Sequence, residues 1–149
     1  MNSRPEIEQR VTTSAPTVRV TAEDMQRLRV VVDRHLDGSL AAAAEQLDGE
    51  LERAVVEPQE QIPPDVVTMR SRILFEDVDT GRRREATLVY PEEADIEQSK
   101  ISVLAPAGLA VLGLKKDDII EWPLPNARRT RFRIVEILYQ PEASGDFHL

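Results

Sequence analysis

The chain has no cysteine, which excludes disulfide staples and thiolate metal sites and leaves stability to the hydrophobic core. Aromatic residues are scarce at 4%, few enough that a small core would use all of them. There are two histidines, His35 and His148, far apart in sequence, and no glycine-rich phosphate loop or nucleophile–base pattern. No apolar run reaches the length of a membrane span, and none sits at the N-terminus, so neither an anchor nor a signal peptide is expected. Positive charge is outweighed: the net charge is −8, of which −6 falls on residues 1–65 and −2 on 66–149. An acidic chain repels phosphate backbones, so sequence-specific nucleic-acid reading is not expected. With 41% hydrophobic and 31% charged residues over 149 positions, one ordinary globular domain or a small domain plus an appendage is expected, in a reducing cytoplasm.

Information is densest at residues 100–125, which read as strand, turn, short helix, turn, strand. Ile101, Val103 and Ala105 alternate with Ser102 and Leu104, the period of an extended segment with one buried face. Pro106 has no amide for a ladder and a φ suited to a first helical turn. Gly113 sits where a helix end favours positive φ. Residues 115–118 form a charged turn, and Ile119 to Trp122 resume a strand.

Taken from the start, residues 1–16 are polar and aperiodic and predict a disordered leader. Thr21 is placed as the N-cap of a helix with Glu23 and Asp24 in its first turn. Met25, Leu28, Val31 or Val32 and Leu36 share a face. Residues 37–39 break that helix, with Gly38 available for positive φ and Ser39 to cap the next. A second stripe follows: Leu40, Ala43, Ala44, Leu47, Leu51, Ala54 and Val55. Two short amphipathic helices joined by so short a break predict an antiparallel hairpin over 17–57, too small to stand alone. The proline-bearing segment 58–65 is expected as a stiff linker and domain boundary. Strands are predicted over 66–69, 72–78, 84–90 and 130–139, with turns at 79–81 and 126–129, an acidic loop at 91–99 and a loop over 140–149. The fold class is α+β: a short helical hairpin, then a small antiparallel sheet over 66–149 closed by one short helix.

Several motifs resemble a known family. D-x-x-T-G at 77–81, L-V-Y-P-E-E-A-D at 88–95, I-S-V-L-A-P-A-G-L-A-V-L-G-L at 101–114 and Lys116-Asp117-Asp118 look like the C-terminal domain of the bacterial Gre transcript-cleavage factors. V-V-T-M at 66–69, W-P-L-P at 122–125 and Y-Q-P-E-A-S-G-D at 139–146 narrow the resemblance to the nucleoside diphosphate kinase regulators, a Gre-related branch. The resemblance implies a hairpin joined to a domain of FK506-binding-protein-like fold. It implies RNA polymerase as partner, the C-terminal domain docking at the rim of the secondary channel and the hairpin entering it.

In that family acids at the hairpin tip help hold a magnesium ion, a hard cation that wants oxygen ligands. This chain offers Asp33, His35, Leu36 and Asp37 at the tip, without a tight acid cluster or a neighbouring aromatic. The family's acid and serine before the docking proline are replaced by Leu104 and Ala105, while Pro106 matches. The expected docking residues are therefore Leu104, Ala105, Pro106 and Gly108, with no catalytic residue, metal or cofactor. Prolyl isomerisation is set aside because its pocket needs an aromatic lining. Arg131 and Arg133, with Arg128 and Arg129 before them, suggest a face for an acidic partner, and Asp146/His148 is a weak metal signature. The leading expectation is a non-enzymatic polymerase-binding regulator that competes with cleavage factors. The alternatives are an active cleavage factor using Asp33 and Asp37, and an adaptor acting on nucleoside diphosphate kinase outside transcription. A monomer is expected, though the hairpin stripe leaves a dimer open.

Overall fold

A computed structural model describes residues 18–123 and 129–145. The predicted leader, the turn at 126–128 and the Asp146/His148 pair lie outside the described residues. Strand β1 (Arg19–Val20) leads into helix α1 (Ala22–His35), which the Thr21 hydroxyl caps by accepting from the Asp24 amide at 3.2 Å. After a turn comes α2 (Ala41–Glu52), then β2 (Val55–Val56), which pairs with β1 in parallel. That pairing returns the chain to the start of α1, so the two helices form a hairpin closed at its base. The Arg19 guanidinium reinforces the closure, donating to both Glu57 carboxylate oxygens at 3.2 Å.

The turn is built differently from expectation. The glycines at positive φ are Gly81, Gly113 and Gly145, and Gly38 is not one of them. The link closes through helix-like bonds instead, Gly38 N–H to His35 O and Ala41 N–H to Gly38 O, so no left-handed residue is needed. The N-cap of α2 is Leu40, without a side-chain cap from Ser39. The stripes also end sooner than predicted. Leu28, Val31, Val32, Ala44, Leu47 and Leu51 are buried, whereas Leu36, Leu40 and Val55 are exposed because they lie at or beyond the helix ends. Glu50 of α2 is buried as well.

Beyond a 3₁₀ turn at Gln59–Gln61 lies a five-stranded sheet in the order β5-β4-β3-β7-β6. Its strands are β3 (Arg72–Asp77), β4 (Arg83–Val89), β5 (Lys100–Ser102), β6 (Ile119–Pro123) and β7 (Arg129–Tyr139). The expected wholly antiparallel sheet is corrected at one edge: β5 runs parallel to β4, because two 3₁₀ turns at Pro91–Glu93 and Ile96–Gln98 carry the chain back before it pairs. Strand β7 makes two register shifts against β3.

Two other segments differ. Residues 66–69 are not a strand. Val66, Val67 and Met69 are buried, and Val67 exchanges backbone bonds with Leu114 and Gly113. The expected loop after β7 contains a short helix, α4 (Pro141–Ser144), capped by Gln140. Its amide also donates to the carbonyls of Pro63 and Val66, both at 2.8 Å, which fastens α4 to the segment before β3.

Helix α3 (Pro106–Val111) starts on Pro106 and ends before Gly113, whose φ is 89°. It lies so close to β5 that a Cβ on Gly108 would stand 2.0 Å from the Ser102 carbonyl oxygen. One hydrophobic cluster runs through the molecule, joining Val18, Leu28, Leu47 and Leu51 of the hairpin to Val67, Leu88, Leu112 and Ile134 beyond it.

Two stability predictions follow from this packing. Gly108→Ala forces α3 away from β5 and lowers unfolding stability by about 3 kcal/mol, measured by urea titration. Glu50 has a buried carboxylate oxygen without a hydrogen-bond donor, and burial raises its pKa despite Arg53 at 3.6 Å. A carboxylate whose folded pKa is raised binds extra protons when folded, so its penalty is full above that pKa and vanishes as pH falls through the unfolded value. Glu50→Gln therefore stabilises by about 1 kcal/mol at neutral pH, and the gain disappears on acidification.

Candidate functional site

The residues expected to dock lie around the start of α3. Leu104 is turned inward at 2% exposure, with its amide bonded to Ser102 Oγ at 3.0 Å, so it belongs to the core. The strand ends at Ser102, and Val103 and Leu104 are buried together, which ends the expected alternation. Ala105 is half-buried and Pro106 is exposed at the first helical position, while Gly108 is buried against β5. The surface left at this edge is thus Ala105 and Pro106.

Beside that edge, between α3 and the sheet, is a hollow of about 290 Å³. Ile73, Phe75, Ile101, Val111 and Phe132 line it, and Ala107 and Arg84 also border it. Phe75 and Phe132 meet edge to face at 5.4 Å between ring centres. Alternation places these side chains on one face of the sheet, and α3 covers that face incompletely.

At the hairpin end, Asp33 is exposed in the last turn of α1 and Asp37 is exposed in the following turn. Leu36 and Leu40 stand beside them, 40% and 41% exposed. His35 lies 2.9 Å through Nδ1 from the Val31 carbonyl, which can only accept, so Nδ1 carries the proton. Among the described residues no three histidine or carboxylate side chains converge as metal ligands. Of the arginine face, Arg131 and Arg133 are engaged internally. Arg133 bonds Glu76 at 2.8 Å and Asp117 at 3.1 Å, and Arg131 reaches Asp79 at 3.5 Å.

A polar cluster that sequence reasoning missed joins the hairpin to the sheet. Tyr90 donates its hydroxyl proton to Asp24 Oδ1 at 2.6 Å. The Arg70 guanidinium lies 5.4 Å from the Tyr90 ring centre and the Arg27 guanidinium 6.0 Å from it. Arg70, at positive φ, also holds Glu93 through Nε and Nη2. Burial raises the Asp24 pKa, opposed by the Tyr90 bond, and burial with the Asp24 charge raises that of Tyr90. Burial works against ionisation of Glu93 too, but the bonded Arg70 holds its carboxyl below the ordinary value. Deeper in, Glu142 accepts from Thr68 Oγ1 at 2.7 Å, and burial plus the Asp24 charge raises its pKa. The one advance signal was the acid pair opening α1. The aromatic partner and the left-handed Arg70 carry no local signature.

Comparison with known proteins places this geometry. A family model described as the C-terminal part of transcription elongation factor GreA/GreB matches residues 62–139, and one described as the Rnk N-terminus matches 16–56. The regulator of nucleoside diphosphate kinase of Escherichia coli (strain K12) is 39% identical over 136 residues, spanning 91% of this chain and 99% of that protein. A transcription elongation factor GreA of Clostridium botulinum is 35% identical over 92 residues, 62% of this chain and 57% of that factor. Among solved structures, a prokaryotic transcription elongation factor GreA/GreB from Nitrosomonas europaea superposes with a TM-score of 0.72 at 40% identity, covering 83% of this chain and 99% of that one.

Removing the Tyr90 hydroxyl isolates the hairpin–sheet clamp. Tyr90→Phe leaves the half-buried Asp24 carboxylate without the hydroxyl donor and destabilises by about 1–2 kcal/mol. In a double-mutant cycle by chemical denaturation, most of that loss disappears in an Asp24→Asn background.

Proposed function

This chain belongs to the family of the regulator of nucleoside diphosphate kinase, whose C-terminal part is that of the GreA/GreB elongation factors, and from that membership we propose a non-enzymatic transcription regulator that docks on RNA polymerase. The observation that carries the reading is the partly covered apolar hollow in the stretch matched by the elongation-factor model. Apolar walls open to water favour an apolar anchor from a partner, because each side chain seated there leaves water and gains close contacts. The resemblance supplies the partner, RNA polymerase, and the rim of its secondary channel as the docking place. Ala105, Pro106 and Ala107 then edge the contact, and Leu104 supports it from beneath.

The hairpin tip favours occupancy of the channel over chemistry in it. Magnesium requires several oxygen ligands in tight geometry. Asp33 and Asp37 are separate exposed carboxylates beside the apolar Leu36 and Leu40. A protein that fills the channel without completing a metal site acts as a competitor of cleavage factors. In this reading residues 17–57 are the inserting unit, 66–149 the docking unit and 58–65 the link between them. Nucleoside diphosphate kinase levels then respond to transcription and not to a contact with the kinase.

Size-exclusion co-elution with core RNA polymerase, repeated with a Gre cleavage factor as competitor, tests both steps. Displacement by the competitor is expected. Ala107→Glu places a carboxylate at the hollow and weakens co-elution by about tenfold, with the unfolding midpoint preserved. Unchanged binding by that variant would remove the hollow from the docking surface. Shortened RNA from backtracked complexes incubated with the protein would overturn the non-enzymatic reading.

A further inference from the structure

A second hollow, of about 370 Å³, opens where α1 meets the sheet, away from the apolar one. Arg27, Arg34 and His35 line it from the helix, and Arg70, Tyr90 and Glu92 from the opposite side. Positions 27 and 34 are two helical turns apart, so their side chains share a face. Three arginines thus line it with Glu92, while Glu93 bonds Arg70 and the Asp24 carboxylate lies within charge reach of Arg27 and Arg70.

The donors are also partly positioned. Arg70 is held from behind by Glu93 and lies over the Tyr90 ring, which spends two N–H groups of a guanidinium that has five. His35 gives its Nδ1 proton to Val31, which leaves Nε2 of the neutral ring an acceptor, so the grip on an anion rests on the arginines. Arg19, Arg29, Arg72 and Arg133 each pair with carboxylates, while Arg34 has no ion pair among the described residues.

We propose that this hollow binds a small phosphate-bearing anion of the polyphosphate class, gripped by Arg34 and Arg70 with Arg27 and His35 beside them. Donors reach the space from two levels of one helix and from across the gap. A tetrahedral group with several oxygens can satisfy such an arrangement, whereas a planar carboxylate offers two oxygens in one plane. The volume accommodates a diphosphate with room for a substituent. Glu92 opposes the anion and sets a ceiling on affinity. A ligand held from both sides ties α1 to the sheet and stiffens the hairpin, since anything that binds the docked arrangement alone stabilises it.

The test is calorimetric titration of the full chain with inorganic pyrophosphate at constant ionic strength, with acetate and sulfate in parallel. Saturable submillimolar binding of pyrophosphate is expected, with sulfate weaker and acetate silent. Arg34→Ala weakens it by about tenfold. Glu92→Gln tightens it severalfold, and Arg82→Ala, at the exposed turn before β4, leaves it unchanged. All three positions are exposed, so unfolding midpoints without ligand are expected to match the parent. Absence of saturable pyrophosphate binding overturns the proposal. So does equal loss in Arg34→Ala and Arg82→Ala, which marks general charge attraction, or acetate binding as well as pyrophosphate. None of these outcomes bears on polymerase docking, which uses the other hollow.

Discussion

The hairpin cannot bury its own apolar stripe, and the structure follows from how that deficit is met. Two helices of three to four turns contribute Leu28, Val31, Val32, Leu47 and Leu51, and these join a single cluster with Val67, Leu88, Leu112 and Ile134. Helix α2 packs on α3, so the short helix that closes the sheet also receives the hairpin. In a chain without cysteine no covalent staple substitutes for this shared core. The close seating of α3 on β5 at Gly108 is part of the same arrangement. A helix standing further off would open the core on both sides.

Polar groups then fix how the two parts sit. An apolar seam alone permits sliding, because hydrophobic contact is not directional. The Tyr90–Asp24 hydrogen bond, the Arg70–Glu93 pair behind it and the guanidinium on each side of the ring specify one position for the start of α1. Burial raises the pKa of both Asp24 and Glu142, and the Asp24 charge adds to the rise at Glu142. Each is compensated by a hydroxyl donor, Tyr90 for one and Thr68 for the other. The junction therefore exchanges stability for a defined geometry.

Much of this was legible in the residue pattern. Helical spacing located both hairpin helices, Thr21 marked the first N-cap, and turn chemistry at 79–81 placed the β3–β4 connection. The α+β class and the family followed from residues 66–146. Three kinds of feature were hidden. Strand direction at β5 depends on how the 3₁₀ turns fold back, which apolar alternation does not record. Leu104 read as outward because a two-residue period was extended past Ser102, where the strand stops. The junction cluster joins Asp24 to Tyr90 across 66 positions, and such a contact has no local signal. Exposed Leu36 and Leu40 were likewise read as stripe residues, because periodicity does not show where a helix loses its neighbour.

The direction of the hairpin is the quantity that unites these observations. It is set at its base by the β1–β2 pairing with Arg19 on Glu57, along its first helix by Asp24 on Tyr90, and along its second by α2 against α3. Helix α1 divides its surface accordingly. Leu28, Val31 and Val32 enter the core, while Arg27, Arg34 and His35 border the second hollow. Any change in that hollow acts on the same helix that carries the tip, and any change in α3 acts on both the apolar hollow and the seat of α2. A partner that engages the apolar hollow thus meets a tip whose position was fixed in folding. Its fit depends on the angle between hairpin and sheet as much as on the residues it touches.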